Sequence, residues 1–233
     1  MGVQIECRRL LWSEECFWKW NGKQVHNIAF YYLIKLCDDF EISDNGEFAI
    51  AIRSLKHNFD GRYTLAERIL RDGYQPVAIL LTHGHFDHAT AAEELAKEFG
   101  IEIYAHEDEK ETLEDAELNA SWMMGERLVF HADRFLKDEQ EIELAGFPIK
   151  VLLTPGHTVG GCCYYFKEEG MVFSGDSLFC MSVGRTDFKK GSMSDLVRSV
   201  KEKLLTLPDD TTVYPGHNDV TTIAYERMNN PYL

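Results

Sequence analysis

His83-Gly84-His85-Phe86-Asp87-His88 follows directly on the apolar run Val77-Ala78-Ile79-Leu80-Leu81. Four of its six residues carry side chains able to bind a metal. An extended run that ends in such a cluster aims several imidazoles and a carboxylate into one pocket, the arrangement with which proteins grip a hydrolytic metal. The stretch predicts a metalloenzyme built on an α/β scaffold.

Composition sets the outer limits. With 233 residues, 45% hydrophobic and 27% charged, the chain can bury a core of one large or two small domains. Its formal net charge of −15 repels phosphate backbones and anionic lipid, so neither a nucleic acid nor a membrane surface is expected as a partner. No apolar stretch approaches the roughly 20 residues that span a bilayer, and the start lacks a signal-peptide pattern, so a cytoplasmic location is the expectation. Cys7, Cys16, Cys37, Cys162, Cys163 and Cys180 show neither a CxxC pair nor a disulfide framework and read as reduced, mostly buried thiols.

From about Gly73 onward, β-rich runs alternate with helical patterns. Ala91, Ala92, Leu95, Ala96 and Phe99 form a helical stripe stopped by Gly100, and Ile101 to Ala105 reads as the next strand. Phe147 to Leu153, Cys162 to Phe166, Met171 to Ser174 and Thr211 to Tyr214 also read as strands. Ser192 and Asp195 resemble a capping box for a helix running to Leu204, with Leu196, Val197, Val200 and Leu204 on its inner face. Residues 1–60 differ: Trp12, Trp18 and Trp20 crowd together, and the β-prone run Ile28 to Leu36 leads to the turn Asp44-Asn45-Gly46. They read as an atypical segment rich in β-hairpins, with a boundary between His57 and Tyr63 and a hydrolase domain over residues 61–233.

An isolated HxH in a loop is more often a surface feature than a ligand pair. Here three further motifs count against that reading. Thr154-Pro155-Gly156-His157, Ser174-Gly175-Asp176 and Tyr214-Pro215-Gly216-His217 each lie just past a predicted strand end, where α/β scaffolds build their sites. His26, His57, His106 and His131 belong to no motif and read as surface or helix-end residues.

HxHxDH, followed by a distant His, an Asp and a last His, resembles the signature of the metallo-β-lactamase superfamily. Thr154-Pro155-Gly156-His157-Thr158, Gly175-Asp176-Ser177-Leu178-Phe179 and Gly184-Arg185-Thr186-Asp187-Phe188 make residues 65–233 similar to its small glyoxalase II-like hydrolases. The resemblance implies an αββα sandwich whose usual N-terminal strands are missing or replaced. It also implies one metal on His83, His85 and His157, a second on Asp87, His88 and His217, and Asp176 bridging both. Two divalent ions are the expected cofactors, with zinc first and iron or manganese compatible with the nitrogen and oxygen ligands.

Chemistry argues in the same direction. Two ions bridged by a carboxylate can hold a hydroxide at neutral pH, which attacks a thioester carbonyl, and a thiolate leaves without a general acid. Asp87 and Asp176 are therefore the candidate catalytic residues, and a small-molecule thioester of the hydroxyacyl-thiol type is the expected substrate. Arg185 and Lys189, with Lys190, form a small basic group that could bind its carboxylates. The larger glyoxalase II enzymes add a C-terminal helical region that helps to bind glutathione, whereas Leu233 follows soon after His217, which leaves the thiol carrier open. Vicinal Cys162 and Cys163 sit in an apolar β-prone run and read as structural thiols.

Two alternatives belong to other classes. A persulfide dioxygenase shares the fold and the Gly-Arg-Thr-Asp-Phe motif but uses a single iron, and oxygen uptake with a persulfide distinguishes it. Residues 1 to about 40 resemble more weakly the later part of a Nudix hydrolase, with Met1-Gly2-Val3 as a helix end and His26 to Leu36 as a strand. Its catalytic glutamates would precede Met1, so no diphosphate hydrolase activity is implied. A non-catalytic fusion product lacking its opening strands is the second alternative.

Overall fold

The computed structural model describes the backbone of residues 5–20, 23–36 and 47–51, and both backbone and side chains of residues 75–233. Strands β1 (Ile5–Trp20) and β2 (Lys23–Leu36) form an antiparallel pair, so the run Ile28 to Leu36 is a strand as expected. The turn at 44–46, the boundary at 57–63, Met1 to Val3, His57 and the side chains of His26 and the three tryptophans lie outside the described residues.

Strand β3 (Glu47–Ala51) pairs in parallel with β4 (Gln75–Leu80). A short helix α1 (Phe86–Ala89) and α2 (Ala92–Phe99) lead to β5 (Glu102–His106), then to a 3-10 turn at Glu107–Glu109 and α3 (Lys110–Glu114). After β6 (Arg134–Leu136), three strands follow one another: β7 (Glu141–Leu144), β8 (Phe147–Leu153) and β9 (Cys162–Phe166). The remainder is β10 (Met171–Gly175), the hairpin β11 (Leu178–Phe179) and β12 (Ser182–Val183), α4 (Met193–Ser199), β13 (Thr212–Pro215), β14 (Thr221–Thr222) and α5 (Ile223–Asn229). One sheet has the order β3-β4-β5-β6 and is parallel throughout. The other has the order β14-β13-β10-β9-β8-β7 and is antiparallel except where β10 meets β13.

The period-2 alternation of strand side chains sorts the core into three layers. Leu80, Leu136, Ile149, Val151, Tyr164, Phe166, Met171 and Phe173 meet between the two sheets. Their neighbours Ile79 and Ile103 face the other way, onto Ala92 and Leu95 of α2. Cys163, Tyr165, Val172 and Val213 cover the outer face of the second sheet, against Leu196, Val200, Leu204 and Ile223. Helix, sheet, sheet, helix is the layer order expected from the sequence.

Local signals hold at the helix ends. Gly100 ends α2 in the left-handed region at φ 67°, with its N–H on the carbonyl of Ala96. Ser192 Oγ accepts from the Asp195 N–H at 3.3 Å and starts α4. That helix differs from the expectation in two ways. It continues over Val200–Leu204 as a π-helical turn, in which the Leu205 N–H reaches Val200, and Val197 is only half-buried while Leu196, Val200 and Leu204 are fully buried. Val197 lies about 100° around the helix from Leu196, against about 40° for Val200, and so falls at the edge of the apolar stripe. Among the described residues no helix is long and apolar enough to cross a membrane.

Ile149 is fully buried between the sheets. Ile149→Ala is expected to lower the unfolding free energy by about 2–5 kcal/mol in a denaturant titration; an unchanged midpoint would mean that the sheets do not pack there.

Candidate metal centre

Strand β9 runs antiparallel between β8 and β10, and β13 runs parallel to β10, so the C-terminal ends of β8, β10 and β13 open on one edge. His157 follows β8, Asp176 follows β10 and His217 follows β13. His83 and His85 lie in the loop after β4, and Asp87 and His88 lie on α1, whose start is fixed by the Phe86 N–H on the carbonyl of Asn119 at 2.8 Å. At Gly216, whose N–H bonds Gly175 O at 2.7 Å, any Cβ would fall 2.2 Å from Asp176 Oδ1. Only glycine lets the His217 loop come that near the carboxylate.

Every sequence-predicted ligand enters one pocket. The candidate ligand atoms of His83, His85 and His157 lie within 4.8 Å of one another, as do those of Asp87, His88 and His217, and those of His83, His88 and Asp176. Asp176 reaches both sets: its Oδ2 is 3.4 Å from His157 Nε2 and 3.2 Å from His217 Nε2, and its Oδ1 is 3.3 Å from His88 Nε2. His85 Nδ1 and His157 Nε2 face each other at 2.8 Å. The rings are held from behind, His83 Nδ1 by the Thr82 hydroxyl at 3.3 Å and His157 Nδ1–H by the carbonyl of Arg185 at 2.7 Å. That second bond leaves His157 Nε2 with its lone pair toward the pocket.

Three atoms at the centre of this cluster are buried without a hydrogen bond: His83 Nε2, His88 Nε2 and Asp176 Oδ1. Each such atom costs a fold about 1–3 kcal/mol. Divalent cations held in this cluster would satisfy all three, so the residues fit a metal site. Their charge states agree. Burial lowers the basicity of His83, His85 and His157, helped at His83 and His85 by neighbouring imidazoles, and takes His85 to about 3. Burial alone would push Asp176 up, yet His217 and His88 bring its carboxyl well below the usual carboxylate range. Neutral imidazoles and an ionised carboxylate are the forms that bind metal.

The basic group has another geometry than a free anion site. Arg185 pairs with Asp187 through two bonds of 2.6 Å and lies over the Phe188 ring, 4.4 Å from its centroid. Phe188 in turn packs 4.7 Å from His85 and walls the trihistidine group. Lys190 pairs with Glu111 at 2.6 Å, and Lys189 is exposed. Cys162 and Cys163 are buried free thiols as expected; burial pushes both up, Cys163 to about 11.

His106 corrects the sequence reading. It stands at the head of the 3-10 turn, as a helix-end residue would, but is 2% exposed, because β5 carries it into the interior and its Nδ1 accepts the Asp108 N–H at 3.2 Å. Its neighbour Glu109 went unsingled in the sequence. Burial pushes this carboxyl up to about 7, against hydrogen bonds from Gly84, Thr158, Gly160 and Thr112 that favour its ionised form. Within the charged run Glu107-Asp108-Glu109-Lys110-Glu111 nothing marks it as the one that turns inward.

Comparison with known proteins agrees with this architecture. Residues 46–217 match the metallo-beta-lactamase superfamily. The chain is 40% identical over 173 residues to the "Probable metallo-hydrolase YqgX" of Bacillus subtilis, covering 73% of this chain and 82% of that protein. It is 39% identical over 158 residues to the hydroxyacylglutathione hydrolase GloC of Haemophilus influenzae, covering 66% of this chain and 74% of that one. Among solved structures, the BLEG-1 B3 metallo-beta-lactamase superposes with a TM-score of 0.74 at 35% identity, covering 88% of this chain and 94% of that chain. TTHA1623 in a di-iron-bound form gives a TM-score of 0.62 at 38% identity, covering 71% and 81%. With a family match that takes in the HxHxDH loop, the β8 and β10 strand ends and His217, the chain belongs to the metallo-β-lactamase superfamily.

Proposed function

We propose that the chain is a dinuclear metal-dependent hydrolase that cleaves a thioester of the hydroxyacyl-thiol type. In this reading His83, His85 and His157 hold one ion, Asp87, His88 and His217 hold a second, and Asp176 serves both. Bound there, the pair of ions supplies a hydroxide at neutral pH and polarises the carbonyl. The observation that carries the reading is the position of Asp176, whose two oxygens reach His157, His88 and His217 at 3.2–3.4 Å.

The chain's own residues fit the rest of the reaction. Burial keeps His83, His85 and His157 neutral, so their lone pairs are available, and Asp176 stays ionised. No protein nucleophile is called for, and the vicinal Cys162 and Cys163 are sealed in β9 with their thiols held protonated. Phe188 offers an apolar wall beside His85, which excludes water from one side of the reacting centre. Asp87 is the more exposed of the two candidate catalytic carboxylates, at 19% against 9% for Asp176. The likeness to GloC supports a hydroxyacyl thioester as the substrate class. Zinc is our first assignment for both ions, and the di-iron form of TTHA1623 supports iron as the alternative.

The test is hydrolysis of a hydroxyacyl thioester of glutathione by the full chain, with metal content measured on the same sample. We expect turnover that chelation abolishes and added metal restores. Asp87→Ala should lower kcat/KM by more than the roughly 10–100-fold typical of residues that merely support a ligand. A metal-loaded protein without thioesterase activity would refute the assignment of substrate class.

The same buried imidazoles set a pH dependence for the metal-free protein. His83, His85 and His157 titrate below the 6.5 of a free imidazole, so the unfolded chain takes up protons first as pH falls. Their contribution to stability is present above about pH 6.5 and is lost progressively below it, for His85 down to about 3. The melting temperature of the metal-free chain should therefore drop between about pH 7 and pH 5, while a flat profile would mean that these rings are not buried neutral.

A further inference from the structure

Glu109 is fully buried and, among the described residues, no cation pairs with it. Its Oε1 accepts the Gly84 N–H at 2.8 Å, between His83 and His85. Its Oε2 accepts the Thr158 hydroxyl at 3.0 Å and the Gly160 N–H at 2.8 Å, immediately after His157. One carboxylate thus bonds both loops that carry the trihistidine group. The approach is also tight on the backbone side: a Cβ on Gly160 would fall 2.2 Å from the Glu109 backbone nitrogen, so the His157 loop lies directly against the 3-10 turn that presents the carboxylate.

A carboxylate suits this place for a chemical reason. The Gly84 and Gly160 N–H groups and the Thr158 and Thr112 hydroxyls that meet its oxygens all donate, and an ionised carboxylate accepts only. A carboxamide of the same shape offers one accepting oxygen and turns its NH2 on the donors of one loop or the other. The loop so opposed loses its tie, and its histidines lose their fixed distance from those of the other loop.

We propose that Glu109 is a positioning residue for the candidate metal centre, setting the spacing between the loop of His83 and His85 and the loop of His157. The proposal rests on reading those three histidines as a metal site. Glu109 itself touches neither metal nor substrate. It works as ligand-orienting residues behind a metal do, whose loss costs about 10–100-fold in metal affinity or activity.

The test uses the full chain stripped of metal and titrated with cobalt(II) alone, recording the visible absorption of the bound ion and the affinity against a competing chelator. For Glu109→Gln we expect an unchanged far-ultraviolet circular dichroism spectrum, cobalt affinity weakened about 10–100-fold and an altered cobalt spectrum. In the thioester assay kcat should fall with KM little changed. If Glu109→Gln does not fold, Thr158→Val decides the matter: it removes one donor and keeps both backbone bonds, and should weaken cobalt binding a few-fold in the same direction. Native affinity and spectrum in the folded Gln variant, or in Thr158→Val where Gln does not fold, overturn the proposal while leaving the metal centre intact. Failure of the unsubstituted chain to bind cobalt instead overturns the reading on which it rests.

Discussion

Four imidazoles and a carboxylate, all less than a tenth exposed, share a pocket in which three inward atoms, His83 Nε2, His88 Nε2 and Asp176 Oδ1, have no hydrogen bond. Left alone, that arrangement is costly, since unpaired buried polar atoms lose their water and gain nothing in return. The rest of the site is organised around making it tolerable. Ring nitrogens on the far side are tied to Thr82 and to the Arg185 carbonyl, and the loops are drawn together by Glu109 and by close backbone contact at Gly216. A pocket held this firmly, with its acceptors turned inward, is prepared for cations.

The two sheets give the pocket its rigidity. Strands β8, β10 and β13 end side by side, and each delivers one ligand-capable side chain within a residue or a few of its last paired position. The β4 loop brings the other four from the facing sheet. The Tyr164 hydroxyl, bonded to the Leu81 carbonyl at 2.8 Å, and the Cys162 N–H, bonded to the Thr82 carbonyl at 2.8 Å, tie β9 to the segment that leads into His83. Sheet-to-sheet packing and ligand geometry are therefore one problem: a shift between the layers moves the β4 ligands relative to the others.

Much of this was legible in the sequence because it is written locally. Strand alternation, the Gly100 stop and the Ser192 cap each depend on residues within a few positions, and the strands Phe147–Leu153 and Cys162–Phe166 carry the boundaries expected for them. The seven ligand-capable residues were legible for another reason: each sits in a short glycine-bearing or histidine-rich motif at a strand end. What escaped depends on contacts far apart in the chain. Glu109 looks like one more charge in an acidic run until it meets Thr158 and Gly160, some fifty residues on. Arg185 looks like a free cation until Asp187 and Phe188 engage it, and His106 looks like a surface residue until β5 buries it.

The proposed function requires that this pocket hold two metal ions, both served by Asp176. Anomalous diffraction from crystals grown with zinc tests it most directly. The account predicts two peaks about 3.5–4 Å apart, as in other two-metal sites, one against His83, His85 and His157 and one against Asp87, His88 and His217, with Asp176 touching both. A single peak, or none, in crystals grown with saturating zinc would contradict it.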